Sequence, residues 1–177
     1  MSPLSITLHG VFMEIAGLGV LLSGASGSGK GELALELISR GHRLIADDAP
    51  HFTQTDASTL IGTCPAVLTD VLEVRALGIL NIRLLFGIQA ICPQASLELI
   101  VRLKQTDKPA LRDIANPLPG TRSVLNSHVP EINLQVLAGR NLAVLVECLV
   151  RNHRLQLQGC HAARDFSLLQ QQSMALP

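Results

Sequence analysis

Eight residues, Gly24-Ala25-Ser26-Gly27-Ser28-Gly29-Lys30-Gly31, combine small side chains and one lysine in the spacing Gly-x-x-x-x-Gly-Lys. Backbone N–H groups of such a run can turn inward and hold phosphate oxygens. Glycines permit the tight turn, and a following helix presents the positive end of its dipole. Lys30 would neutralise the terminal phosphates of a nucleotide. The next position ordinarily carries Ser or Thr, whose hydroxyl reaches Mg²⁺. Here it is Gly31, so one expected metal ligand is missing. As a helix-opening position it should tolerate serine well. A plain glycine-rich turn is the competing explanation. The apolar Val20-Leu21-Leu22 before the loop and the helical pattern after it favour phosphate binding.

Acidic residues recur where such a loop needs them. Asp47-Asp48 ends a short apolar run, Arg43-Leu44-Ile45-Ala46. A strand there, parallel to and beside the one feeding the loop, would bring Asp47 to the same sheet edge. It could then bind metal through water or take a proton from a hydroxyl; acids at this edge, Asp48 included, commonly face nucleotide and metal. A polar pair opening the turn Asp47-Asp48-Ala49-Pro50 is the alternative. Glu73 and Arg75 share one side of an extended, otherwise apolar segment, as a mutual pair or as site residues. His9, from position alone, is a strand histidine with a structural role.

The positioning elements follow from periodicity. Ile6 and Leu8, then Val11, Met13 and Ile15, alternate with a phase shift at His9-Gly10, predicting extended chain with a bend. A turn at Ala16-Gly17-Leu18-Gly19 leads into a strand over 20–23. Residues 32–40 predict a helix with Leu33 and Leu37 on its apolar face, a Glu36–Arg40 ion pair on its wet face and Gly41 as its stop. Residues 51–58 read as loop or hairpin tip, and 60–72 as mixed with a break at Cys64-Pro65. Leu84-Leu85-Phe86-Gly87 and 88–91 read as buried. Leu97, Leu99, Val101 and Leu103 alternate with Glu98 and Arg102, predicting a half-buried strand. The stretch 105–128 is expected to be the most mobile, with strand again over 129–134. Asn141 is placed to cap a helix over 142–150. Residues 161–174 predict a short amphipathic helix through Phe166 and Leu169, with a fraying glutamine run.

The 177 residues suit a single domain over 1–177 with a real core, 47% being hydrophobic. Formal net charge is zero and no basic patch stands out, which argues against nucleic acid. With no Trp or Tyr and four Phe, base-stacking platforms are not expected. Cys64, Cys92, Cys148 and Cys160 form no Cys-x-x-Cys pair, so free thiols in a reducing compartment are expected. Residues 1–8 lack the basic start and long apolar core of a signal peptide, and no apolar run reaches the length needed to span a bilayer, so a cytoplasmic protein without membrane contact is expected.

Beyond the loop, the sequence resembles the C-terminal catalytic domain of HPr kinase/phosphorylase, bacterial enzymes acting on a serine of the phosphocarrier HPr. The resemblance runs from His9-Gly10-Val11 through Gly19-Val20-Leu21-Leu22 and the loop to Leu35-Glu36-Leu37-Ile38. It continues through Arg40-Gly41-His42-Arg43-Leu44-Ile45-Ala46-Asp47-Asp48, Leu72-Glu73-Val74-Arg75, Leu77-Gly78-Ile79, Leu85-Phe86-Gly87 and Gly139-Arg140-Asn141-Leu142-Ala143.

This resemblance implies a P-loop α/β fold, a mixed sheet with flanking helices, often assembled as a hexamer. It implies ATP and Mg²⁺ as cofactors and an HPr-like phosphocarrier as partner. His9 would stand beside the reacting phosphate, and Lys30 would be the phosphate-loop lysine. Asp47 would take the serine proton in the kinase direction and return it in reverse. Glu73 would bind Mg²⁺, with Asp47 and Asp48 as further metal-facing acids. Arg112 sits about where the family has an active-site arginine, and Arg140 lies in the loop tied to dephosphorylation. Full-length members carry a further N-terminal domain, which this chain, like short proteobacterial versions, is expected to lack. Three departures stand out: Gly31 for serine, Ala76 for glycine, and Gln135-Val136-Leu137-Ala138 for a proline-containing loop. The first motivates the alternative of a nucleotide- or phosphate-sensing module without turnover. A small-molecule kinase is a third reading, against which the segment around Glu73 counts.

Overall fold

Alternation of apolar side chains sets the centre of the molecule. The computed structural model describes residues 3–105 and 120–174. Strands β1 (Ser5–Thr7), β2 (Val11–Ile15) and β3 (Leu18–Gly24) lead into helix α1 (Lys30–Ser39) and strand β4 (Arg43–Ala46). Hairpin strands β5 (His51–Gln54) and β6 (Leu60–Thr63) follow, then a second hairpin, β7 (Val71–Val74) and β8 (Gly78–Asn81), and short helix α2 (Ile82–Phe86). Strands β9 (Gln94–Gln105), β10 (Gly120–Val124) and β11 (Ser127–Val136) precede helices α3 (Leu142–Leu157) and α4 (Ala162–Met174).

Nine strands form one mixed sheet in the order β1-β5-β6-β9-β3-β2-β4, with β11 also on β9 and β10 on β11. Side chains of β2 and β3 divide between its faces with a period of two. Val11, Met13, Ile15, Val20 and Leu22 meet Leu33, Ala34 and Leu37 of α1 and Ala143, Val146 and Val150 of α3 in one core. Phe12 and Leu21 face the other core, with Phe52, Leu60 and Ile100. Phe12 and Phe52 meet edge to face, their centroids 4.9 Å apart.

Strands β3 and β4 are not neighbours, as the sequence reading had them. Antiparallel β2 lies between them, pairing Leu21 with Phe12 on one side and Ala46 with Phe12 on the other. Two antiparallel pairings restore the direction, so β3 and β4 still end at the same edge. Parallel pairing of β3 with β9 and of β9 with β11 brings two more strand ends there. This edge carries the candidate site.

Other expectations changed for identifiable reasons. The alternation in β9 breaks because the register shifts where Gly19 and Val20 face Leu97 and Leu99. Leu97 therefore joins the second core, and the Glu98 carboxylate accepts the Gly19 N–H at 3.2 Å. Strand β9 is central rather than half-buried, because Ile100 fills the face opposite Leu99 and Val101. Arg40 turns from Glu36 to Glu147 on α3, at 2.5 Å. His51 and its neighbours are strand, with only the tip of the β5–β6 hairpin as loop. Residues 120–128, expected to be mobile, include β10 and the turn into β11; 106–119 lie outside the described residues. Helix α3 runs to Leu157 and is capped as expected, Asn141 Oδ1 accepting the Val144 N–H at 3.1 Å. The apolar stretch around α2 is buried only in part: Ile82 and Ala90 join the first core and Phe86 and Ile91 pack against it, but Leu84 is 82% exposed and Leu85 and Ile88 are exposed, as are Ile79 and Val67. Helix α4 is amphipathic, but Phe166 and Leu169 are exposed.

Candidate active site

Strand β3 ends at Gly24 and α1 begins at Lys30, so the loop between them bridges sheet and helix. Gly29 caps the helix in the left-handed conformation, φ 88°, which favours glycine. No side chain caps this end, so the first-turn amides are presented at the loop. Within the loop, Ser28 N donates to Ala25 O at 3.1 Å. Lys30 Nζ lies over it, 3.0 Å from the carbonyl oxygens of both Gly24 and Ala25.

This loop forms one wall of a cleft of about 290 Å³. His9, Asp47, Asp48, Glu73 and Arg75 form the other wall. Asp47 is half-buried at the end of β4, and its Oδ2 accepts the Glu73 N–H at 2.7 Å. Burial raises the Asp47 carboxyl above its ordinary value, opposed by the backbone donors of Glu73 and Asp48. Asp48 is exposed, and its Oδ1 lies 2.9 Å from His9 Nδ1. Glu73 and Arg75 are not joined by an ion pair among the described residues. Arg75 lies instead against the loop, its guanidinium 3.1 Å from where a Cβ on Gly27 would stand. The sequence leaves Arg75 open between a mutual pair with Glu73 and a site residue; it lines the cleft.

Gly31 corrects one expectation. A Cβ there would stand 2.2 Å from the Glu73 carbonyl oxygen, so serine is not tolerated without movement of β7. Helix propensity carried no hint of this, because the obstacle comes from a strand forty residues away in sequence.

Arg140 follows β11 at the same sheet edge but does not line the cleft. Arg112 lies outside the described residues. A second, wider cleft of about 720 Å³ shares His9 and is lined by Ser23, Arg102, Arg122 and Glu131. Sequence reading missed these arginines, although Arg102 faces Ser23 in the β3–β9 register.

All the oxygen donors of the first cleft are hard ligands, suited to Mg²⁺ rather than to a soft metal. No group of three or more His, Cys, Asp or Glu among the described residues could hold a metal by itself. That fits a cation held largely by phosphate oxygens with one or two carboxylates.

A glycine loop and lysine between a strand and a helix, facing acids from neighbouring segments, define a P-loop phosphate-binding α/β domain. Comparison with known proteins narrows this class. The chain belongs to the family described as HPr Serine kinase C-terminal domain, matched over residues 3–170. A protein of Xylella fastidiosa (strain M12) named HPr kinase/phosphorylase is 54% identical over 170 residues, 90% of this chain and 52% of that protein. One of the same name from Xanthomonas campestris pv. campestris (strain B100) is 51% identical over 171 residues, 91% of this chain and 52% of the relative. The chain thus spans about half the length of these curated relatives. The solved Hpr(Ser) kinase/phosphatase from Coxiella burnetii superimposes with a TM-score of 0.81 at 39% identity, covering 91% of this chain and 98% of that one.

Proposed function

We propose that this domain is an ATP-dependent protein kinase that phosphorylates a serine of HPr or a related phosphocarrier, with phosphorolysis as its possible reverse. The supporting observation is the convergence of Lys30, Asp47, Glu73 and His9 on one cleft, in a chain whose relatives carry the kinase name. Bound ATP supplies the phosphoryl group, and Mg²⁺ spreads its charge.

The remaining work falls to this chain. Loop amides and Lys30 hold the phosphates in line with the acceptor. Asp47, made more basic by burial and fixed by the Glu73 N–H, accepts the serine proton as the hydroxyl oxygen bonds to phosphorus. The bond from phosphorus to the leaving ADP oxygen breaks in the same displacement. Arg75 adds positive charge beside the loop, and Glu73 with Asp48 would help hold the cation. Arg112 and Arg140 are proposed to offset the negative charge that develops during transfer. In reverse, an oxygen of inorganic phosphate bonds to the phosphoserine phosphorus, the bond from phosphorus to the serine oxygen breaks as Asp47 returns the proton to that oxygen, and pyrophosphate is the product.

Several features suit the wider reading. Among the described residues no helix is long and apolar enough to cross a membrane. Ile79, Leu84, Leu85 and Ile88 are each exposed, in keeping with the proposed homo-oligomer. A single catalytic domain over residues 1–177 completes the proposal. A sensing module without turnover is not favoured, given the kinase-named relatives.

The test is incubation with ATP, Mg²⁺ and purified HPr, followed by the intact mass of HPr. Gain of one phosphate, mapped to a serine, is expected. ATP binding without transfer to HPr would overturn the proposal in favour of the sensing module.

A further inference from the structure

Gly31 removes a hydroxyl from the place where a phosphate loop ordinarily offers one to the cation. The structure shows what stands there instead. The Glu73 carbonyl oxygen lies 2.2 Å from the point a Cβ of residue 31 would occupy, inside the space a serine side chain would fill. Gly31 and Glu73 line the same cleft.

That carbonyl is not committed to its own hairpin. In the β7–β8 pair Val74 faces Gly78 and Glu73 faces Ile79, and the turn is closed by Leu77 N to Val74 O at 2.8 Å. The Glu73 N–H points away from β8, donating to Asp47 Oδ2 at 2.7 Å. N–H and C=O of one strand residue lie on the same edge, so the Glu73 carbonyl also faces out of the ladder, toward the start of α1.

We propose that the main-chain carbonyl of Glu73 takes the place of the missing hydroxyl as an inner-sphere oxygen ligand to the divalent cation bound with the nucleotide. Hard cations accept backbone carbonyl oxygens as well as carboxylates. The absence of a side chain at position 31 is what admits the carbonyl; loss of the hydroxyl and gain of the carbonyl are one change. Asp47 holds the ligand in place through the neighbouring N–H. This inference rests on the reading of the cleft as a nucleotide and metal site. The simpler account is that Gly31 serves only the packing of β7 on α1.

The test uses Mn²⁺ in place of Mg²⁺, an ATP analogue with a non-hydrolysable β–γ bridge, and protein labelled with ¹³C at the backbone carbonyl of glutamate. Electron–nuclear double resonance at the manganese then reports which nuclei lie in its first shell. Side-chain carboxylates carry no label and stay silent. The expected spectrum shows ³¹P couplings from the nucleotide and one ¹³C coupling of inner-sphere size. Glu73→Asp keeps a carboxylate but puts an unlabelled carbonyl at position 73, so the ¹³C coupling should vanish while the ³¹P couplings remain. If ³¹P couplings appear without ¹³C, the carbonyl is not a ligand and Gly31 serves packing alone. A ¹³C coupling that survives in Glu73→Asp belongs to another glutamate, such as Glu32, and overturns the assignment. If Mn²⁺ shows no ³¹P coupling at all, the nucleotide and metal reading fails together with this inference.

Discussion

Asp47 Oδ2 accepts the backbone N–H of Glu73 at 2.7 Å, joining the end of β4 to the outer edge of the β7–β8 hairpin. One carboxylate thereby faces the cleft and anchors the segment that carries Glu73 and Arg75. A hydrogen bond to a charged acceptor contributes about 1.5–3 kcal/mol. Asp47→Ala should therefore lower stability in urea by about 2 kcal/mol. Asp47→Asn, which keeps an acceptor oxygen, should lose less. Equal losses in the two variants would show that the bond does not anchor the hairpin.

Lys30→Ala should abolish ATP binding without unfolding the domain. The ammonium lies over the loop and, among the described residues, donates to the carbonyls of Gly24 and Ala25, so its removal leaves no core cavity. Calorimetry on a variant with unchanged circular dichroism checks this, and native affinity would rule out a phosphate loop.

Gly31→Ser, which propensity alone would permit, should instead strain the contact between α1 and β7. Forcing a side chain against a packed carbonyl costs about 1–3 kcal/mol. Urea unfolding should show a loss of that order, and an unchanged midpoint would mean that β7 yields freely.

Glu147 supports the opposite end of α1. Its carboxylate is buried beside Arg40 at 2.5 Å and His42 at 2.7 Å. The Arg40 hydrogen bond, then that of His42, outweighs burial and holds the Glu147 carboxyl at about 2 against an ordinary 4.5. A carboxyl depressed on folding stabilises the native state above its unfolded value. That contribution is lost as the pH falls from about 4.5 toward 2. Glu147→Gln should cost about 3 kcal/mol at neutral pH, because Arg40 and His42 lose their shared partner. The two stability curves should converge as the pH approaches 2; a constant gap down to that pH would contradict the assignment.

Much of this was legible in the sequence because the relevant signals are local. Val11, Met13 and Ile15 announce a strand by alternation, Asn141 announces a cap, and the loop announces itself by glycine spacing. Asp47 was placed at the right edge by a simplified route, since directions survive when β2 is inserted between β3 and β4. What sequence hid was pairing at long range. Arg40 finds Glu147 more than a hundred residues away, and Gly31 meets the Glu73 carbonyl. Both depend on which element folds onto α1, which no periodicity encodes. The exposure of Leu84, Leu85 and Ile88 escaped for a related reason: composition marks a residue as apolar but not whether its own chain covers it.

The reaction proposed for this cleft is phosphoryl transfer to a serine hydroxyl with Asp47 as the proton acceptor. The most direct measurement is rapid-quench transfer of labelled phosphate from ATP to HPr by wild-type protein and Asp47→Asn, with ATP affinity measured on the same preparations. Wild-type protein should form phosphoserine, and the variant should bind ATP comparably while its transfer rate falls by at least about a hundredfold. Transfer at the wild-type rate by Asp47→Asn, or no transfer by the wild-type protein despite bound ATP, would contradict it.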